Sequence, residues 1–333
     1  MAPHPQRLTV TRRAWALARP FATAHGQKTS VDIVVVEISD GDSRGRGEGV
    51  PLQRHGESVD SVVATLEAMK AAVVAGLDRE TLQQAMPPGA ARNALDCAFW
   101  DIDSKRAYSS ATELAGLGAT KPVMTAFTLG LDTPEKMAEL AAANRARPLL
   151  KLVLGGDGVV ERVLAVRRAV PASRLIVDAN ESWNESRFSE FMPALIDCRV
   201  ELIEQPLPAG ADDALARLHH PIPLCADESC RTLADLDHLH GKYEAVNIRL
   251  DKVGGLTAAL ALSAEAKRRE FRVMAGGTIG TSLGVAPALL VAPGADIVQL
   301  DGPLHLASDR VPGLRYDGST IHPPDQGFWG QPT

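Results

Sequence analysis

Aromatic residues are scarce in this 333-residue chain, at 4%. So few π-faces leave little stacking surface for single-stranded nucleic acid. A cationic excess is also missing. Lys plus Arg number 35 against 41 acids, a net charge of −6, which argues against a strongly basic nucleic-acid binder. No apolar run reaches about 18 residues, so no membrane span is expected. There are only four cysteines, Cys97, Cys198, Cys225 and Cys230. Their spacing fits no zinc ribbon, and a reduced, cytoplasmic protein is the plain reading. Thr11-Arg12-Arg13 has the look of a twin-arginine signal. The apolar run behind it, Ala14–Ala18, is broken by Arg19 and Pro20, so no export signal is expected. Hydrophobic residues make up 45%, with 28 Gly and 22 Pro spread along the chain. That composition implies a sizeable core and many turns.

Three strand-like runs come first, at Leu8–Ala18, Val31–Ser39 and Gly45–Leu52. In the second, Val31, Ile33 and Val35 alternate with Val34, Val36 and Ile38. Both faces are therefore apolar, as in a strand covered on both sides. Helical patterns follow at Asp60–Ala75 and Ala90–Arg106. Strands and then helices suggest an α+β module over roughly the first 110 residues.

From about residue 123 the chain alternates strand and helix. The strand candidates are Met124–Leu129, Leu149–Leu154, Leu175–Ala179, Glu201–Glu204, Leu224–Asp227, Ala245–Leu250, Arg272–Ala275 and Ile297–Leu300. Helices are expected between them, among others at Asp213–Leu218, Thr232–His238 and Leu256–Arg269. Eight strands in βα succession favour a (β/α)-barrel over the doubly wound sheet. No G-x-G-x-x-G follows the first strand. The segment from Gly313 on, with an Asp317-Gly318 turn, is expected to fold back onto the first module.

In such a barrel the chemistry lies at the C-terminal strand ends. Three successive strands finish on an acid: Asp178, Glu204 and Asp227. Adjacent strands lie about 4.8 Å apart, so the three carboxylates converge and repel unless a cation joins them. All-oxygen ligands select a hard ion, and Mg2+ fits. Lys151 sits between Leu150 and Leu152, and a lysine in an apolar strand needs acid partners. Beside a divalent ion its pKa is expected to fall, which would suit a base. Arg249 shares a strand face with Asn247. It can balance the acids or hold a carboxylate, but it is a poor base because guanidinium keeps its proton. Lys252 follows at the same strand end. Asp301 closes the eighth strand, either to bind a substrate ammonium or to cap the next turn.

These residues carry a resemblance. Val177-Asp178-Ala179-Asn180-Glu181, Glu204-Gln205-Pro206-Leu207-Pro208, Ala226-Asp227-Glu228-Ser229, Asn247 to Gly255 and Leu300-Asp301-Gly302-Pro303 are similar to motifs of the enolase superfamily, in its muconate-lactonizing branch. Most of all they resemble the L-Ala-D/L-Glu dipeptide epimerases. The resemblance implies α/β architecture: a (β/α)-barrel of the modified TIM type (residues 113–312), an N-terminal α+β capping domain (1–112) and a C-terminal return to the cap (313–333). It implies one Mg2+ per subunit on Asp178, Glu204 and Asp227, and removal of the proton next to a carboxylate. Thr128 matches a substrate-contact position. The partner is a small-molecule substrate, a dipeptide or related carboxylate, with no nucleic acid or membrane. A homo-oligomer is expected.

Several positions depart from the family pattern. Strand two of the epimerases reads Lys-x-Lys, and its second lysine is one base; here Val153 stands there and Lys151 matches the first lysine. Strand six reads Asn-x-Lys, with the opposing base; here it is Arg249. Strand eight reads Asp-x-Asp, a pair that holds the dipeptide ammonium; here Gln299 precedes Asp301. The first-module loop, which in relatives offers an arginine, has His25 and Lys28. The catalytic candidates are therefore Lys151, Arg249 and Lys252, and the substrate contacts Thr128, Asp301, Gln299, His25 and Lys28. Three functions follow: a dipeptide epimerase by descent with altered activity, a one-base lyase or cycloisomerase using Lys151 or Lys252, or a non-catalytic Mg2+ and carboxylate binder.

Overall fold

A computed structural model describes residues 6–332. Residues 1–5 and Thr333, which fall in the first and last expected units, lie outside the described residues. The chain opens with a long antiparallel hairpin, β1 (Arg7–Thr23) and β2 (Gly26–Asp40), and β3 (Ser43–Gly49) adds to β2. The helices α1 (Val59–Ala68), α2 (Lys70–Val74), α3 (Arg79–Ala85), α4 (Ala90–Arg106) and α5 (Ala111–Leu114) follow. The expected single helix over Asp60–Ala75 is interrupted at Met69, whose N–H bonds to Leu66 O at 3.1 Å in a tighter turn.

Both faces of β2 are covered, as the paired apolar alternation predicts. Val34, Val36 and Ile38 pack with Leu95 and Ala98 of α4, while Val31 and Ile33 pack with Val50 and Leu306 on the other side. Small residues allow β3 to lie against α4. A Cβ added to Gly47 would stand 1.9 Å from Ala94 O, and one added to Gly45 2.2 Å from Ala98 O.

The strand expected at Met124–Leu129 is two strands. β4 (Val123–Met124) pairs with a C-terminal hairpin, whereas β5 (Phe127–Leu129) enters the barrel. The barrel continues through α6 (Pro134–Ala143), β6 (Leu149–Val153), α7 (Val159–Ala169), β7 (Arg174–Asp178), α8 (Glu185–Asp197), β8 (Val200–Glu204), β9 (Leu224–Ala226) and β10 (Ala245–Arg249). It ends with α9 (Leu250–Val253), α10 (Leu256–Arg268), β11 (Arg272–Gly276), α11 (Ser282–Ala288) and β12 (Ile297–Gln299). Eight parallel strands, β5 to β12, lie in sequence order. Ala126 N donates to Val298 O (2.8 Å) and Leu300 N to Thr125 Oγ1 (2.8 Å), which brings the first and last strands together. The helices expected at Asp213–Leu218 and Thr232–His238 are 3-10 turns, Asp213–Ala216 and Ala234–His238. So few residues favour the tighter i to i+3 bonding. Among the described residues, no helix is long and apolar enough to cross a membrane.

The cap grips the barrel through one face of α4. Arg92 donates to Val253 O (2.6 Å) and Gly254 O (2.9 Å), Asp96 accepts from Thr257 N (2.9 Å), and Trp100 Nε1 donates to Thr257 Oγ1 (2.9 Å). Gly254 and Gly255 have φ of +87° and +116°, in the left-handed region that glycine tolerates. Their bare Cα atoms also let Arg92 and Asp96 approach. After the hairpin β13 (Tyr316–Asp317) and β14 (Thr320–Ile321), the chain reaches α4 again. Trp329 Nε1 donates to Cys97 O (3.0 Å), Gly330 N to Asp101 Oδ1 (2.8 Å), and Ala111 N to Gly330 O (2.7 Å).

Candidate active site at the barrel mouth

Every second residue of a strand faces the same side, so the barrel interior is built in layers. The lowest layer is apolar: Ala126, Leu149, Ile176, Leu202, Cys225, Ala245, Met274 and Ile297 form one buried cluster, one residue per strand. Two residues further along each chain segment stand Thr128, Lys151, Asp178, Glu204, Asp227, Asn247, Gly276 and Gln299. The seven with side chains are all buried. The third layer brings Val153, Asn180, Arg249 and Asp301 by the same count. A dry plug thus supports a ring of polar groups.

Cations bind the acids of that ring. Lys151 Nζ lies 2.8 Å from Asp178 Oδ2 and 2.7 Å from Glu204 Oε2. Asn247 Nδ2 donates to Glu204 Oε1 at 2.7 Å. Arg249 contacts both oxygens of Asp227, Nε to Oδ1 at 3.0 Å and Nη2 to Oδ2 at 2.7 Å, and Lys252 Nζ donates to Asp227 Oδ1 at 2.8 Å. Gln205 braces the mouth: its Oε1 accepts from Asp227 N (2.9 Å) and Ser229 N (3.1 Å), and its Nε2 donates to Leu207 O and Tyr243 OH.

The charges follow this geometry. Burial and the neighbouring Asp178 push the Glu204 carboxyl up to about 7 against the pull of Lys151. Burial opposes ionisation of Asp227, but Arg249 and Lys252 overcome it and hold its pKa well below the usual range. Burial lowers the Lys151 pKa, yet Asp178 and Glu204 together raise it above the ordinary lysine value. With these acids alone around it, Lys151 is held as an ammonium, opposite to the lowered pKa expected beside a divalent ion.

Among the described residues, no three acidic, His or Cys side chains stand close enough to hold one ion between them. Lys151 instead bridges Asp178 and Glu204, and Arg249 pairs with Asp227. The donor chemistry nevertheless fits a hard cation. Asn180 Oδ1, Glu228 Oε2 and Asn247 Oδ1 are buried acceptors without a hydrogen-bond donor, and Glu204 Oε2 has only the ionic contact with Lys151. Buried acceptors left in this way call for a positive partner.

The other expected contacts divide. Thr128 is buried, with Oγ1 unpaired. Asp301 accepts from Thr128 N at 2.6 Å and Gln299 Nε2 at 2.5 Å, and lies 2.9 Å from His305 Nε2. His25 is exposed at the hairpin tip; burial works to raise the Glu181 pKa, but Arg54 and the bond from Ala209 N hold it below the ordinary value. Lys28 is exposed, paired across the hairpin from Phe21, and the structure does not bring it to the ring. Val153 is 2% exposed and level with Asp178. Lys252 is 0% exposed and donates also to Asp227 O and Asn247 O.

Five residues at the mouth were missed. Arg54 pairs with both oxygens of Glu181, Nη2 to Oε1 at 2.8 Å. His55 has its pKa lowered to about 4, first by burial and then by Arg231, Arg249 and Lys252. Glu228 carries a pKa well above the usual range through burial and Asp227. His305 stacks on Phe127 (5.0 Å between centroids) and meets Phe21 edge-on at 5.1 Å. The carboxylates Glu181 and Glu228 lay in quoted motifs and gave a signal; Arg54, His55 and His305 gave none.

Comparison with known proteins gives consistent results. Residues 6–116 match the "Mandelate racemase / muconate lactonizing enzyme, N-terminal domain" family model, and residues 135–327 match "Enolase C-terminal domain-like". The L-Ala-D/L-Glu epimerase of Escherichia coli (strain K12) is 43% identical over 94% of this chain and 98% of that protein. The N-acetyl-D-glutamate racemase of a Pseudoalteromonas species is 40% identical over 90% and 95%. A solved enolase family member from Agrobacterium tumefaciens, with homology to dipeptide epimerases and with bound sodium and L-Ala-L-Glu, superposes with a TM-score of 0.96 at 47% identity, covering 98% of this chain and all of that one.

Proposed function

The chain belongs to the enolase superfamily, in its mandelate racemase and muconate lactonizing enzyme branch, and on that premise we propose that it removes the α-proton of an N-acylated glutamate. That class includes both the Ala-Glu dipeptide and N-acetylglutamate on which these relatives act. One observation supports it above others: Asp178, Glu204 and Asp227 occupy one polar layer on three successive strands, directly over an apolar plug. These are the residues that would hold one Mg2+ per subunit. Bound there, the ion supplies neutralisation of the charge that grows on the substrate carboxylate as the proton leaves.

By descent the outcome is epimerisation of a dipeptide. The bases favour a second reading, a one-base reaction. Val153 has no proton to exchange, Arg249 keeps its own, and Lys252 is sealed and triply bonded. Lys151 is left as the single ring lysine. It serves as a base only after giving up its contacts with Asp178 and Glu204. In this picture residues 1–112 cap the mouth, 113–312 carry the chemistry and 313–333 return to the cap. A cytoplasmic homo-oligomer is the expected setting.

Deuterium exchange at the α-carbon of L-Ala-L-Glu in the presence of Mg2+ tests the proposal. Exchange with inversion supports epimerisation, and exchange without inversion supports a single base. Binding without exchange of any N-acylated glutamate overturns catalysis and leaves a carboxylate-binding protein.

A further inference from the structure

The carboxylate of Asp301 is closed off. Its Oδ1 accepts from Gln299 Nε2 (2.5 Å); its Oδ2 accepts from Thr128 N (2.6 Å) and faces His305 Nε2 (2.9 Å). The residue is 0% exposed. Oδ1 is taken by Gln299 from the layer below and Oδ2 by Thr128 N and His305, so an ammonium arriving at the mouth must displace one of these groups to reach the acid. His305 is held in turn by Phe127 and by Phe21 of the hairpin. Both sides of the acid are therefore anchored, and one anchor comes from the cap.

Next to this sealed acid is a group of the opposite kind. Thr128 Oγ1 is buried and has no hydrogen-bond partner. Its residue is level with Lys151 in the strand register. A free hydroxyl is suited to a neutral carbonyl or amide, since it donates and accepts without carrying charge. It contributes little to an ammonium that must be stripped of water to reach it.

We propose that the ligand of this mouth is a glutamate whose nitrogen carries a neutral acyl group, with Gln299 and Thr128 setting that preference against the charged aminoacyl group of a free dipeptide. The proposal rests on the N-acylated glutamate reading above and narrows it. Gln299 is the specificity-determining residue, because its amide occupies Asp301 Oδ1 and makes the acid a buried brace.

Calorimetry with Mg2+ present compares N-acetyl-L-Ala-L-Glu and free L-Ala-L-Glu, the ligand that the Agrobacterium relative holds. The acetylated ligand is expected to bind about ten- to a hundredfold tighter, the usual worth of a charged hydrogen bond. Gln299→Asp, which places a second carboxylate at the mouth, is expected to reverse the order. If that variant fails to fold, Gln299→Ala uncovers Asp301 without adding charge and is expected to close the gap. Equal or tighter binding of the free dipeptide by the unaltered protein overturns this proposal and leaves the N-acylated glutamate reading standing. Binding of neither ligand overturns both.

Discussion

Arg249 grips Asp227 through two parallel contacts, Nε to Oδ1 at 3.0 Å and Nη2 to Oδ2 at 2.7 Å. This is the fork-to-fork geometry that guanidinium makes with carboxylate and ammonium cannot. Position 249 thus holds a group that keeps its proton and turns it toward a candidate metal ligand. Across the barrel, Val153 offers only methyl groups.

Lysines placed at positions 153 and 249 are expected to raise exchange. Val153→Lys together with Arg249→Lys should raise the α-proton exchange rate of L-Ala-L-Glu by about a hundredfold or more, the scale of a lost general base. Loss of the α-proton NMR signal in D2O measures it. An unchanged rate in a folded variant that binds Mg2+ would show that the missing lysines are not what limits the reaction.

Asp178→Asn removes one charge from the ring and frees Lys151 to turn fully to Glu204. Mg2+ affinity should fall by about tenfold or more, as for loss of a charged partner. Titration calorimetry reads this directly, and normal affinity would remove Asp178 from the ligand set.

Gly47→Ala should damage the cap. The new Cβ would run into the backbone of one turn of α4, 1.9 Å from Ala94 O and 2.8 Å from Ala98 N, and neither is free to move. Overpacking of this kind costs about 3 kcal/mol or more. Chemical denaturation would register the loss, and an unaffected midpoint would contradict the tight contact of β3 with α4.

Asp96 gives a pH signature. It is 0% exposed, and burial pushes its pKa up to about 6, against the pull of Thr257, Arg79 and Gln83. A raised carboxyl favours the folded state at low pH and loses that advantage as pH rises through its folded value. Its contribution is full below about pH 4 and gone above about pH 7, a change on the order of 3 kcal/mol. Asp96→Asn should lack this component, because Gln83 can turn its amide oxygen to the new NH2 group. Urea unfolding of both proteins across that range tests it; identical pH slopes would exclude Asp96 as the source.

Much of the barrel was legible because several of its strands are apolar runs that stop on a polar group, and the position of that group fixes the height of the ring. Asp178, Glu204 and Asp227 could be found in this way. The cation that each acid faces could not. Lys151 reaches Asp178 and Glu204 on two other strands, and no local pattern marks that meeting. Arg54 reaches Glu181 from the cap for the same reason. The burial of the polar residues of α4 had another cause. Arg92, Asn93, Asp96 and Asp101 read as a wet helix face, but all four are buried, because cap sheet and barrel enclose the helix from opposite sides. Gln299 was flagged as a substitution, but its role depends on Asp301 being closed by Thr128 and His305 as well.

The contacts of Trp329 and Gly330 with α4 also set an order of assembly. Asp101 is 0% exposed, and one of the backbone donors to its carboxylate belongs to residue 330. While the ribosome is still making the barrel, that oxygen lacks its partner and the indole site at Cys97 O stays unfilled. The first module synthesised therefore lacks two of its native contacts until residues 329 and 330, which follow the whole barrel in the chain, have been made.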